Sequence, residues 1–343
     1  MTADGSSRTD HGKCADDGQG SGARCHIGID VGGTKINSVT LRSGRIIDRL
    51  RVPTPRSENA LLAAVAGATA ELTGRTVTDA PTVGVGIAGM VDRDGCIVHS
   101  PNLAWMDGVD VASRLNEAIG APVSVENDAN AAAFAEWKLG AGVGETDFAM
   151  VSIGTGIGGG IIVGNRLLTG ANGFAGEIGH IPVIADGPAC ACGGRGHWEA
   201  IAAGPALGQL VEAATERGEL RASQRVLGRR PTATDLELLV REQLAEVRGT
   251  IDRFADAVAR GLETLVAILD PAVLILGGGV MDIGPVLLDA IGSNLEARVE
   301  GGSARQMPDL RLAQIGSDAA AVGAALLGAE RCSDNRFAAR PPA

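Results

Sequence analysis

The sequence predicts two α/β domains, and three observations lead there. At 343 residues the chain is longer than one hydrophobic core usually serves. Short β-branched apolar runs alternate with Ala- and Leu-rich stretches of helical length. A strand, a glycine turn and a second strand follow one another from Ile27 to Leu41 and again from Asp147 to Leu168, which points to two related halves.

Cys25 to Val31 is a continuous apolar run that ends in Asp30-Val31-Gly32-Gly33, and Lys35 to Leu41 and Arg45 to Val52 follow as further strands. Asn59 to Leu72 suits a helix, Thr82 to Ile87 a buried strand, and Val109 to Ile119 a second helix after the turn at Pro101-Asn102-Leu103. Pro122 to Glu126 is a strand running into Asn127-Asp128, and Ala129 to Leu139 then continues as a helix. The second half opens with a strand at Asp147 to Ile153, a glycine turn at Gly154 to Gly160, and another strand and turn at Ile161 to Leu168. One helical stretch is expected over Trp198 to Arg217, another segment over Asp235 to Ala245, and an amphipathic helix over Ile251 to Ile268. Ala272 to Leu276 is a buried strand entering Gly277-Gly278-Gly279, and Ala319 to Gly328 is a helix of small residues.

Composition excludes several classes of function. The net charge is -11 and aromatics make up 2% with no Tyr, so neither a basic nucleic-acid surface nor base-stacking platforms are expected. An anionic ligand must be held locally, by backbone amides or a cation. The six cysteines are scattered except for Cys190 and Cys192, unlike a disulfide framework, so Cys14, Cys25, Cys96 and Cys332 read as bystanders. Likewise His11, His26 and His99 show no partner pattern. The first 25 residues lack the apolar core of a signal peptide and no apolar run approaches a membrane span, so a cytoplasmic protein with no membrane partner is expected.

Two features carry chemistry. Gly32-Gly33-Thr34-Lys35, Gly154-Thr155-Gly156 with the glycines after it, and Gly277-Gly278-Gly279 each follow a short buried strand, where glycine lets backbone N–H groups close around phosphate. Strands follow the first two loops, so neither a Walker A loop nor a dinucleotide fingerprint fits. Asp30, ending the first strand, is placed either to hold Mg2+ or to cap the turn. The second feature is Gly176 to Glu199, which concentrates Glu177, His180, Cys190, Cys192, His197 and Glu199. Four of these suit a tetrahedral zinc site, and the two spare carboxylates point to a substrate pocket braced by the metal.

The motifs Asp30-Val-Gly-Gly-Thr34-Lys35, Glu126-Asn127-Asp128-Ala-Asn130, Ser152 to Gly160 and Gly176 to Glu199 together resemble the ROK family of sugar kinases and repressors, bacterial glucokinases in particular, over roughly residues 26 to 328. The resemblance implies an actin-like ATPase (ribonuclease H-like) fold with the active site in an interdomain cleft. It implies Asp128 as the catalytic base that takes a proton from a sugar hydroxyl attacking ATP, and Asn102, Asn127, Asp128, Glu177, His180 and Glu199 as the sugar ligands. Thr155 and Gly156 are implied at the γ- and β-phosphates and Gly277 to Gly279 beside the nucleoside. The family also holds a structural Zn2+ with one His and three Cys. His180, Cys190 and Cys192 match, but the third cysteine position is His197.

The division expected is a tail over 1–25, a first domain over 26–127 completed by 316–330, a larger second domain over 128–315 that carries the Cys/His cluster, and a tail over 331–343. The leading function is a kinase using ATP, Mg2+ and a structural Zn2+ to phosphorylate the primary (6-) hydroxyl of glucose or a close analogue. A kinase for kanosamine, N-acetylmannosamine or a C7-cyclitol is the alternative, polyphosphate is a variant donor, and a sugar-responsive transcriptional regulator is the more distant reading. A homodimer or homotetramer is what the resemblance favours.

Overall fold

Two five-stranded sheets are built to the same plan. The computed structural model describes residues 24–76 and 81–333, so most of the first expected tail, with His11 and Cys14, and residues 334–343 of the second lie outside it. In the first sheet β1 (Cys25–Val31), β2 (Lys35–Arg42) and β3 (Arg45–Pro53) form an antiparallel meander. After α1 (Glu58–Thr76), β4 (Thr82–Ile87) pairs parallel with β1. A small hairpin, β5 (Met90–Val91) and β6 (Ile97–His99), and α2 (Val111–Ile119) precede β7 (Val123–Asn127), which pairs parallel with β4. The order is β3-β2-β1-β4-β7.

Helix α3 (Asp128–Leu139) leads to the second sheet, where β8 (Phe148–Ile153), β9 (Ile157–Val163) and β10 (Arg166–Leu167) repeat the meander. Then come α4 (Trp198–Ala202), α5 (Gly204–Glu216), α6 (Arg221–Leu227), α7 (Leu236–Arg241) and α8 (Arg248–Leu269). β11 (Val273–Gly277), α9 (Pro285–Arg298) and β12 (Asp309–Leu312) complete the order β10-β9-β8-β11-β12, with β11 parallel to both neighbours. The last helix, α10 (Ala319–Ser333), packs back on the first sheet at β1 and β4.

Aliphatic side chains fill both cores. Ile27, Ile29, Val85 and Ile87 anchor the first, while Phe254, Val258, Leu262, Leu274 and Trp198 anchor the second. β4 is buried at all six positions, as a parallel strand covered on both faces must be. Glycines set how closely the helices approach. A Cβ on Gly28 or Gly84 would sit 1.8 Å from a carbonyl oxygen of α10, and one on Gly323 of α10 would sit 1.6 Å from Ala131 O of α3.

Three boundaries depart from the sequence reading. The expected glycine turn at Gly154 to Gly160 is a turn only to Gly156, because β9 starts at Ile157. Gly158 and Gly160 are strand residues that make room for Ala129 and Ala133 of α3, and Gly159 makes room for Ile178. The single helix expected over Trp198 to Arg217 is broken at Ala203, which is extended, since Pro205 has no N–H to continue a helix and starts a new one. Arg331 to Ser333, expected in the tail, belong to α10, and Arg331 joins an ion pair with Glu126. That extension also carries Cys332, read as a bystander, which is disulfide-bonded, whereas Cys25, Cys96, Cys190 and Cys192 are free thiols.

Candidate functional site

A cavity of about 960 Å3 opens between the two sheets. Asp30, Asn102, Asn127 and Asp128 line it from the first half, and Gly154, Thr155, Gly156, Glu177, His180, Cys192, Glu199 and Gly277 to Gly279 from the second. The first glycine turn stands at its edge: a Cβ on Gly33 would lie 3.2 Å from Asn102 Cβ. That turn is also internally braced, with Gly32 N donating to Lys35 O (3.1 Å), Thr54 Oγ1 to Gly32 O (2.6 Å) and Thr54 N to Thr34 O (3.1 Å). The Gly32 amide is therefore spent within the turn, and Gly32, Gly33, Thr34 and Lys35 do not line the cavity.

Asp128 is the first residue of α3. Its neighbour Asn127 is the N-cap and accepts from Ala129 N (2.9 Å) and Asn130 N (3.0 Å). With the cap role taken by Asn127, the Asp128 carboxylate, which accepts from Ala129 N at 2.9 Å, faces the cavity at a helix N-terminus. Asn127 Nδ2 donates to Gly89 O (3.0 Å), tying the turn to the chain before β5. Behind it, Glu126 Oε1 accepts from Asn127 N (3.0 Å) and Asn130 Nδ2 (3.1 Å), while Glu126 Oε2 pairs with Arg331.

The electrostatics of this floor are unusual for two aspartates. Burial pushes Asp30 up from 3.8 to about 7, the negative charge of Asp128 pushes in the same direction, and the Lys35 ammonium opposes both. Burial also raises Asp128, against the Ala129 amide that stabilises its charged form. Oxygen donors carrying excess negative charge in a cleft are the donor set a hard divalent cation needs, so Asp30 fits Mg2+ better than it fits a turn cap. Glu177 keeps 38% of its side chain exposed, yet the cleft still raises its carboxyl, with His180 opposing.

His180, Cys190, Cys192 and His197 converge, their donor atoms all within 4.8 Å of one another. His180 Nδ1 lies 3.8 Å from Cys190 Sγ, and His197 Nδ1 lies 3.1 Å from Cys192 Sγ. Bonds of roughly 2.0–2.3 Å to a central zinc put tetrahedral ligands about 3.3–3.8 Å apart, so small shifts close this set around one ion. The other His180 nitrogen, Nε2, points to Glu177 Oε2 at 3.9 Å. His197 is accommodated because Gly194 has no side chain: a Cβ there would meet the imidazole at 2.3 Å. Glu199 joins this cluster to the second glycine turn, with Oε1 3.7 Å from Cys190 Sγ and Oε2 accepting from Ile157 N at 2.9 Å. A Cβ on Gly156 would stand 2.2 Å from that Oε2, so the turn requires glycine for its approach to Glu199.

Sequence reasoning passes over two groups at the site and one partner outside it. His99 lines the cavity and has a partner after all, Asp107 Oδ2 at 3.0 Å from its Nδ1. His26 also has one, Thr82 Oγ1 at 2.8 Å. Gly316, Ser317, Ala319 and Ala320, from the start of α10 and the turn before it, complete the wall beside Gly277 to Gly279. Only the Asp107 position, eight residues from His99 across a turn, could have hinted at that pair.

The ROK family model matches residues 26–331. A glucokinase of Streptomyces coelicolor is 37% identical over 314 residues, spanning 89% of this chain and 97% of that protein. The crystal structure of a ROK family glucokinase from Streptomyces griseus, in complex with glucose and AMPPNP, superposes with a TM-score of 0.78 at 34% identity over 89% of this chain and 99% of that one. A ROK hexokinase from Thermus thermophilus gives 0.75 at 34% identity over 90% and 99%. The paired sheets, with their repeated strand order and intervening cleft, are the actin-like ATPase fold. The match of one family model along nearly the whole described chain, with relatives covered end to end, means that this protein belongs to the ROK family.

Proposed function

We propose that the protein is an ATP-dependent sugar kinase that phosphorylates the primary (6-) hydroxyl of glucose or a close glucose analogue. The observation that carries this is the arrangement of one cavity. A carboxylate at a helix N-terminus, Asp128, shares one cavity with hydrogen-bonding side chains and with the glycine-bounded wall of Gly154 to Gly156 and Gly277 to Gly279. Asp128 acts as general base for the attacking hydroxyl. Phosphoryl transfer demands alignment and charge stabilisation more than covalent help, and a positioned base contributes about 10²–10⁴-fold.

Asn102, Asn127, Glu177, His180 and Glu199 bind the sugar hydroxyls, since a carboxylate accepts from two vicinal hydroxyls at once. Thr155 and Gly156 take the phosphates, and Asp30 holds Mg2+ on the ATP. His180, Cys190, Cys192 and His197 would hold a structural Zn2+, which supplies rigidity rather than reactivity. Through His180 Nε2 and Glu199 the same four residues orient two of the sugar ligands. Among the described residues no helix is long and apolar enough to cross a membrane. A cytoplasmic homodimer or homotetramer is part of this proposal and rests on the family resemblance alone. Light scattering on the purified protein reads that assembly.

The substitution of His197 for a third cysteine, in the same cluster as the sugar-facing His180, keeps amino sugars and C7-cyclitols in view as acceptors. The test is ADP release with Mg-ATP and, separately, polyphosphate, across glucose, mannose, fructose, N-acetylmannosamine, kanosamine and valienone-type cyclitols. Glucose turnover that falls at least about 100-fold in Asp128→Asn, with glucose still bound, supports the reading. Binding of a sugar without turnover of any would favour the regulator instead.

A further inference from the structure

Besides the cleft, the described structure holds one fully buried carboxylate whose charge is met by backbone amides alone. Glu136, on α3, is 0% exposed. Its Oε1 accepts from Gln314 N and Ile315 N, both at 2.8 Å, and its Oε2 accepts from Ala141 N at 2.8 Å. Its own carbonyl accepts from Gly140 N (3.0 Å) and Gly142 N (2.9 Å). A Cβ on Gly140 would stand 2.0 Å from Oε2, so the chain passes the carboxylate at a distance only glycine allows.

The five amides belong to the two places where the chain crosses between the sheets. Residues 140–147 lead from α3 to β8, and residues 313–318 return from β12 to α10. Arg311, on β12 just before the return segment, holds residues 140–147 from outside, donating to Ala141 O (2.8 Å) and pairing with Glu145 (3.0 Å). The return segment borders the cleft on both sides of the bonded amides: Ala313, Gly316 and Ser317 line it. At the other end of the same helix, eight residues or about 12 Å away, stands Asp128.

We propose that Glu136 is a positioning residue for phosphoryl transfer, holding the nucleotide-side wall at 313–317 in register with Asp128 through the rigid length of α3. The proposal rests on the kinase reading above. Charge-assisted bonds from one carboxylate to amides of both crossings make the spacing of the two cleft walls a property of one side chain. Misplacing reacting groups by about 1 Å can cost about 10²-fold in rate.

The test is Glu136→Gln, with Glu136→Asp as the variant to use if the first does not fold. Gln keeps the volume but can present only one oxygen. Facing Gln314 and Ile315 it turns an NH₂ toward the Ala141 N–H and releases that crossing. At a temperature where circular dichroism shows a folded protein, kcat should fall about 10- to 100-fold with the sugar KM within about threefold. Hydrogen exchange at Ala141, which loses its acceptor, should rise more than at Gln314 and Ile315. Val247→Ala, a core substitution in the short turn before α8 that packs on α7 and α8, is the control for lost stability and should retain kcat. Overturning results would be a folded Glu136→Gln with kcat within about twofold of wild type, a rate loss matched by Val247→Ala, or unchanged exchange at Ala141. Wild-type protein inactive on every sugar would remove the kinase reading and this proposal with it, whereas active wild type with an equally active variant removes the proposal alone.

Discussion

Asp30→Asn should stabilise the ligand-free protein, by an amount that grows as pH rises from about 4 to about 7. The folded protein raises this carboxyl from 3.8 to about 7, first by burial and then by repulsion from Asp128. Roughly three pH units at 1.36 kcal/mol each set a ceiling of about 4 kcal/mol. The sign follows from proton affinity. Between about pH 4 and pH 7 the folded state binds this proton and the unfolded state does not, so stability falls as pH rises through that window and the full penalty stands above it. Asn has nearly the same shape and cannot ionise. Its gain is therefore under about 1 kcal/mol at pH 4.5 and about 2–4 kcal/mol at pH 8. Urea unfolding at the two pH values, with Mg2+ and nucleotide removed, measures it. Added Mg2+ should narrow the gap at pH 8 by stabilising wild type. A gain of the same size at both pH values, or none at pH 8, would refute the claim that Asp30 is a charge the empty cleft disfavours.

Three further outcomes are expected. Turnover should lose activity on the acid side with a midpoint above the ordinary carboxylate range, because Asp128 must be ionised to act as base and burial raises it; a midpoint at or below about 4 in a kcat/KM profile counts against its role. Protein purified without added metal should carry close to one zinc per chain by elemental analysis, and His197→Cys should keep both the zinc and the melting temperature; metal-free protein that melts identically before and after chelation would dismiss the cluster as a metal site. Gly323→Ala should destabilise by about 1–3 kcal/mol or more in urea unfolding, since its Cβ would meet Ala131 O at 1.6 Å, while Gly67→Ala, with nothing within 4 Å, should be neutral or slightly stabilising.

Periodicity made the strands and long helices legible because each element buries a face by itself. β4, α3 and α8 have the bounds their apolar runs indicate to within a few residues. What escaped was set by contacts distant in sequence. Gly158 and Gly160 look like turn residues, and only their contact with Ala129 and Ala133 of α3 shows why a strand needs them. The β5–β6 hairpin is too short to show alternation, and so His99 and its place in the cavity were missed. Arg331 sits where composition turns polar, yet it donates to Ser124 Oγ at 2.8 Å and pairs with Glu126 directly behind Asn127 and Asp128. At the Cys/His cluster the residue types sufficed to nominate the ligands, because the four donors lie within eighteen positions, while the room for His197 depended on Gly194.

The packing of α10 on β1 and β4 has a consequence for how the chain is made. The first sheet emerges from the ribosome early, but the helix that covers one of its faces is encoded about 290 residues after β1. Until that helix arrives, Gly28 and Gly84 leave a shallow, side-chain-free furrow of apolar sheet open to solvent. Such distant closure slows folding and exposes strand surface during synthesis, so the half that carries Asp30 and Asp128 must wait for the other half to be translated before it can complete its core. Substitutions in α10 should therefore reduce soluble yield in the cell more than their effect on the finished protein's melting temperature would indicate.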